Sequence, residues 1–166
     1  MKIAIGTDHA GYELKEYLKE YLKSKNIEVL DFGCDSTESV DYPDYAIKVA
    51  DYIYETIEQY ARNIDDAAPN QSPPHTDSEK AILICGSGSG MCIAANKVRE
   101  IRAVNCYTPE IASLAVRHNN ANILCLGARF ISKELAKEIV DSFLAAKFEA
   151  GRHLERIDEI HIRTGV

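Results

Sequence analysis

The segment Cys85-Gly86-Ser87-Gly88-Ser89-Gly90 sets a thiol beside three glycines at alternate positions. Glycines let backbone N–H groups turn towards a ligand without interference from Cβ. Where such a loop opens a helix, those N–H groups can receive an anion. They would also lower the pKa of an adjacent thiol and favour thiolate. Cys85 therefore has three readings: a small core hydrophobe ending a strand, a nucleophile, or a base that abstracts a proton. The loop is not a P-loop, because no Gly-Lys-Ser/Thr follows it. Met91 stands where the dinucleotide fingerprint needs its third glycine and where a Cys-five-Arg phosphatase loop would not place methionine.

Other polar residues sit near element ends. Asp8-His9 follows the first apolar run, and Asp is also a good helix N-cap. Gly127-Ala128-Arg129 follows the last apolar run. His118 and Asn119 close the helix before it, and His118 falls in phase with Ile111, Leu114 and Ala115. A helix-terminal histidine satisfied by the dipole is the plain alternative there. Arg152 and Arg156 are four apart, share a helix face and could chelate one phosphate, or form a solvated face. Cys92, Cys106 and Cys125 suit core packing, Cys34 stands in a loop without assignment, and Asp65, Asp66, Asp77 and Glu79 read as surface loop.

The elements that must position these residues follow from apolar spacing. Strands are expected at residues 2–6, 27–31, 81–85, 103–106 and 122–126. Between them the spacing predicts helices with inward faces Leu14/Tyr17/Leu18/Tyr21/Leu22, Ala46/Val49/Ala50/Ile53/Ile57, Ile111/Leu114/Ala115 and Leu135/Ile139/Phe143/Leu144. Pro43 and Pro109 fit first helical turns. A helix is expected over 91–98, and a C-terminal one over about 149–162. Residues 61–80 hold three of the five prolines and almost no periodicity, so they read as an exposed insertion. Strands alternating with helices, and lacking in/out alternation, predict one α/β domain over 1–166. Its core is a doubly wound, Rossmann- or flavodoxin-like five-stranded parallel sheet covered on both faces. Ligands bind at the carboxyl ends of strands in such folds.

Composition removes several classes of function. The net charge is −7 and no Lys/Arg block exceeds two residues, which argues against nucleic acid or anionic membrane as a partner. Five cysteines, an odd number with no two-residue spacing, suggest reduced thiols in the cytoplasm. No signal peptide or membrane span is expected.

GTDHAG, DYPDYA, ICGSGSGMCIAANK, IRAV, RHNNANIL and GRHLERI together resemble ribose-5-phosphate isomerase B, over essentially the whole chain except 61–80. The resemblance implies interconversion of ribose 5-phosphate and ribulose 5-phosphate without metal or coenzyme. It implies a homodimer with active sites between subunits, a tetramer being left open. It makes Cys85 the base, His118 a proton donor for ring opening, and Gly86, Gly88, Ser89 and Gly90 part of an oxyanion cradle assisted by the Ser87 hydroxyl. Asp8, His9 and Asn119 would contact substrate, and Arg129, Arg152 and Arg156 would bind the phosphate. Some relatives place a glutamate base where this chain has Met91, which cannot accept a proton. Asn120 replaces a common Asp. Allose-6-phosphate or galactose-6-phosphate isomerisation, a silent sugar-phosphate sensor and a cysteine hydrolase are the competing readings. His118 favours the pentose, and the hydrolase lacks its expected motif order.

Overall fold

A computed structural model describes residues 1–62 and 80–165. Five strands form one sheet: β1 (Lys2–Thr7), β2 (Glu28–Asp31), β3 (Lys80–Cys85), β4 (Ala103–Asn105) and β5 (Ile123–Gly127). All pairings are parallel and the order is β2-β1-β3-β5-β4. The chain leaves β1 in one direction and β3 in the other, so the order reverses between these central strands. A crevice opens above their carboxyl ends at such a reversal.

Apolar side chains on both faces of the strands explain why both faces are covered. Ile3, Ile5, Ile82, Ile84, Leu124 and Leu126 pack on one face against α1 (Tyr12–Ser24), α4 (Pro109–Asn119) and α5 (Lys133–Ala145). Ala4, Ala81, Leu83, Cys85, Ile123 and Cys125 meet α2 (Tyr42–Arg62) and α3 (Ser89–Ala95) on the other. Each fully buried Leu or Ile contributes about 1.5–3 kcal/mol. A last helix, α6 (Arg152–Thr164), buries only Ile157.

The doubly wound parallel sheet and the C-terminal helix match the sequence expectation, with local differences. On α4 the sheet-facing stripe is Ala112, Ala115 and Val116, whereas Ile111 is 45% exposed. Small residues are what allow that helix to approach the sheet closely, and Ile111 lies beside the stripe. Helix α3 begins at Ser89, two residues early, because Gly88 turns the chain with φ +78°. Helix α2 continues through Ala61 and Arg62, and β3 starts at Lys80, so both borders of the expected insertion belong to regular elements. The insertion otherwise lies outside the described residues.

Lys15 is an unexpected core residue on α1, 2% exposed. Its ammonium group meets Asp31 at 2.9 Å and the Cys34 carbonyl at 2.7 Å. Asp31 also pairs with Lys19 at 2.6 Å. The network ties α1 to the end of β2 and to the loop above it.

Candidate active site

Three neighbouring strands, β1, β3 and β5, end on the same rim of the sheet. Thr7 Oγ1 donates to the Ile84 carbonyl at 2.8 Å and fastens the tip of β1 to β3. Asp8 next accepts hydrogen bonds from the N–H groups of Ala10 (2.9 Å) and Gly11 (3.2 Å). That is the capping role its position allowed. His9 Nδ1 accepts from the Val40 N–H at 3.3 Å, which leaves Nε2 as the donor of a neutral ring. A cavity of about 390 Å³ opens beside His9, walled by Glu13, Thr37, Ser132 and Lys133 among others.

The glycine-rich loop crosses this rim at the end of β3. Cys85 is 5% exposed and sits in the core layer against α2 and α3. Its sulfur also receives the Gly88 N–H at 3.1 Å, the kind of contact that a thiolate requires. The positive φ of Gly88 is what turns that N–H inward. The Ser87 hydroxyl accepts from the Ser89 N–H at 3.3 Å, and Ser89 and Gly90 enter α3. Arg129 arrives from the end of β5 and lies directly over Gly86: a side chain at Gly86 would place its Cβ 3.1 Å from the Arg129 Cζ. Asp8, His9, Cys85, the loop 86–90 and Arg129 therefore share one rim.

His118, Asn119, Arg152 and Arg156 are elsewhere. Helix α4 starts after the carboxyl end of β4 and finishes before the amino end of β5, running back across the sheet. Its 11 residues span about 16 Å. His118 thus stands near the opposite rim from Cys85. There its ring stacks on His153 of α6, with centroids 4.5 Å apart and planes within 5°. Its Nε2 lies 3.6 Å from a Glu149 oxygen. Glu149 is held below the ordinary carboxylate range by its hydrogen bond from Arg117. His153 is pushed down by reduced solvation and then by the charges of His118, Arg152 and Arg156.

Ligand atoms of His118, Glu149 and His153 lie within 4.8 Å of one another. Imidazole lone pairs lie in the ring plane, and two parallel stacked planes share no point. No ion can bind both rings without one turning.

The remaining thiols divide. Burial pushes Cys106 up to about 12 and Cys125 well above the ordinary thiol value, as packing residues should behave. Cys92 departs from that expectation: it is half-buried, and its neighbour Cys125 lowers its pKa to about 7. Cys34 proves buried, its S–H donating to the Ser36 carbonyl at 3.3 Å.

Two rim residues escaped sequence reasoning. Asn105 Nδ2 (3.1 Å) and the Tyr107 hydroxyl (2.8 Å) both donate to the Ser87 carbonyl. They stand at and just beyond the carboxyl end of β4, so the rule that selected Asp8, Cys85 and Arg129 could have flagged them.

A doubly wound parallel sheet whose central strand tips carry an N–H-bound thiol, a glycine-rich loop and an arginine lying over it defines an α/β domain with its polar residues gathered at one rim. Residues 3–65 and 58–160 match the family model described as Ribose/Galactose Isomerase, and the chain belongs to that family. Ribose-5-phosphate isomerase B of Escherichia coli (strain K12) is 41% identical over 159 residues, 96% of this chain and 93% of that protein. The structure of the Clostridium thermocellum ribose-5-phosphate isomerase B superposes with a TM-score of 0.85 at 41% identity, covering 99% of this chain and 98% of that one. The Mycoplasma genitalium enzyme, solved with bound ribulose 5-phosphate, gives 0.82 at 39% identity, covering 99% and 96%.

Proposed function

We infer that this chain interconverts ribose 5-phosphate and ribulose 5-phosphate through an enediolate, with Cys85 as the base. The observation that carries it is the Gly88 N–H aimed at the Cys85 sulfur on a rim also bearing Asp8, His9 and Arg129. A thiolate there takes the C2 proton of the open-chain aldose and returns it to C1. The N–H groups of Gly86 and Gly90, with the Ser87 hydroxyl, meet the negative charge that develops on the oxygen, while the Gly88 N–H is kept by the Cys85 sulfur and the Ser89 N–H by Ser87 Oγ. A preset donor of this kind contributes about 2.7–4 kcal/mol. The conversion moves hydrogen within one molecule, so it needs no external oxidant or reductant.

Cys85 and His118 lie at opposite rims, so their cooperation requires a second copy of the chain. In a two-fold dimer the second copy's His118 donates a proton to the furanose ring oxygen, with Asn119 beside it. Arg152 and Arg156 of that copy close on the phosphate from the side opposite Arg129. His153, held towards its neutral form, leaves the phosphate charge to the arginines. Five unpaired cysteines suit a reducing cytoplasm. Among the described residues no helix is long and apolar enough to cross a membrane.

The test is an isomerase assay with ribose 5-phosphate, allose 6-phosphate and galactose 6-phosphate on wild type and Cys85→Ala. Turnover of the pentose is expected, falling about 10²–10⁴-fold in the variant with the fold intact. Near-normal turnover in the variant would leave Cys85 a packing residue, and a preference for a hexose phosphate would replace the substrate.

A further inference from the structure

We propose that Asn105 and Tyr107 are positioning residues for the reaction: they clamp the Ser87–Gly88 peptide so that its N–H stays on the Cys85 sulfur. The role deepens the assignment of Cys85 as base and rests on it.

The geometry follows from a single peptide plane. In a trans peptide the C=O and the next N–H point in opposite directions. On one side of this plane the Ser87 carbonyl accepts from Asn105 Nδ2 at 3.1 Å and from the Tyr107 hydroxyl at 2.8 Å. On the other side the Gly88 N–H reaches the Cys85 sulfur at 3.1 Å. Fixing the carbonyl therefore fixes the donor. Gly88 sits at φ +78° without a side chain, so no side chain of its own resists rotation of that plane.

The clamp is built in depth. Asn105 Nδ2 also reaches Ser89 Oγ at 3.2 Å and the Tyr107 hydroxyl at 3.0 Å, so the two clamping side chains brace each other. The amide can face only one way, since turning it over would set its oxygen against the Ser87 carbonyl oxygen. Its own oxygen, Oδ1, is buried without a hydrogen-bond partner among the described residues. It presses where a Gly88 Cβ would stand, 2.3 Å away. An unmet buried acceptor costs stability, so the amide stands here at a cost to the fold. The requirement for its donor explains that placement.

Four proteins test the clamp: wild type, Asn105→Leu, Tyr107→Phe and the double variant. Each single change leaves one donor on the Ser87 carbonyl, and leucine nearly matches the asparagine shape while removing the orphan oxygen. Each single variant should therefore lose less than about threefold in kcat, and the double variant at least about tenfold, the worth of one hydrogen bond to a charged group. KM for ribose 5-phosphate should stay within about twofold, because the clamp touches no substrate.

Alkylation by iodoacetamide is the second readout, with tandem mass spectrometry separating Cys85 from Cys92. In the double variant Cys85 should react about threefold more slowly, less than the loss in kcat, because a thiol that ionises less readily is also the better nucleophile. Slower labelling of Cys85 with unchanged turnover would support the clamp and overturn Cys85 as base. Labelling of Cys85 at the wild-type rate would overturn the clamp, as would an equal slowing at Cys92 or a rise in KM in place of the fall in kcat.

Discussion

Complementation between two variants, Cys85→Ala and His118→Ala, tests the proposed sharing of the site between chains. Cys85→Ala removes the proposed base from one rim, and His118→Ala removes the proposed ring-opening donor from the other. The 11 residues of α4 put about 16 Å between the two rims, whereas proton transfer needs contacts of about 3 Å. No rotamer of either side chain spans that gap within one chain. In a heterodimer of the two variants one site carries both lesions and the other carries none. Equal mixing with free exchange of subunits makes half the dimers heterodimers, each with one of two sites intact, so activity should return to about a quarter of the wild-type value. A control sharpens the arithmetic. Wild type mixed equally with the Cys85→Ala/His118→Ala double variant should retain about a quarter of wild-type activity after exchange, against about half if each chain held a whole site. Exchange is monitored by mass spectrometry of isotopically labelled subunits, and turnover by the ketose formed. No recovery in the first mixture, together with half retained in the second, would refute the division of the site between chains.

Three further outcomes follow from the same geometry. Arg152→Ala should raise KM for phosphorylated sugars about 10–100-fold, the loss of one charge-assisted contact, while unphosphorylated ribose is scarcely affected; steady-state kinetics on both decide it. Asp31→Asn should strip the buried Lys15 ammonium of its main partner and cost about 2–3 kcal/mol in denaturant unfolding, moderated because Glu16 still reaches it at 3.1 Å. Burial of Asp31 opposes ionisation, but the hydrogen bonds from Lys19 and Lys15 outweigh it and hold the carboxyl below its usual range. The stabilisation is therefore fully present above the unfolded carboxylate pKa of about 4 and is lost as pH falls through the lower folded value. Iodoacetamide labelling of Cys92 should rise with a midpoint near pH 7, while Cys106 and Cys125 stay unlabelled up to pH 9 in peptide mapping.

The strands, the helix order and the rim bearing Cys85 were legible because apolar period and the glycine loop are local signals. Residues 81–85 could hardly be anything but a buried strand, and Gly88 announced its turn. The inward face of α4 was misread because hydropathy favours Ile111 over Ala112, whereas close packing against the sheet favours the smaller residue. Lys15 was invisible for a related reason: a lysine reads as solvent-facing, and only the distant Asp31 and the Cys34 carbonyl make its burial tolerable. The pairing of Asn105 and Tyr107 with Ser87 joins residues 18 and 20 positions apart, which no local pattern encodes. The motifs carried His118 into the candidate site, yet only the course of α4 reveals that it stands far from Cys85 in its own chain.

The two core layers are not equivalent in what they can absorb. Methylenes gained or lost among Leu18, Leu22, Ile139 and Phe143 are felt by α1 and α5, on the far side of the sheet from the Cys85 sulfur. The same change at Leu83, Met91 or Ala95 lies in the leaf that holds Cys85, where a few tenths of an ångström alter a hydrogen bond to sulfur. Substitutions in the second leaf therefore reach the Cys85 sulfur directly, whereas those in the first act on it only through the thickness of one sheet.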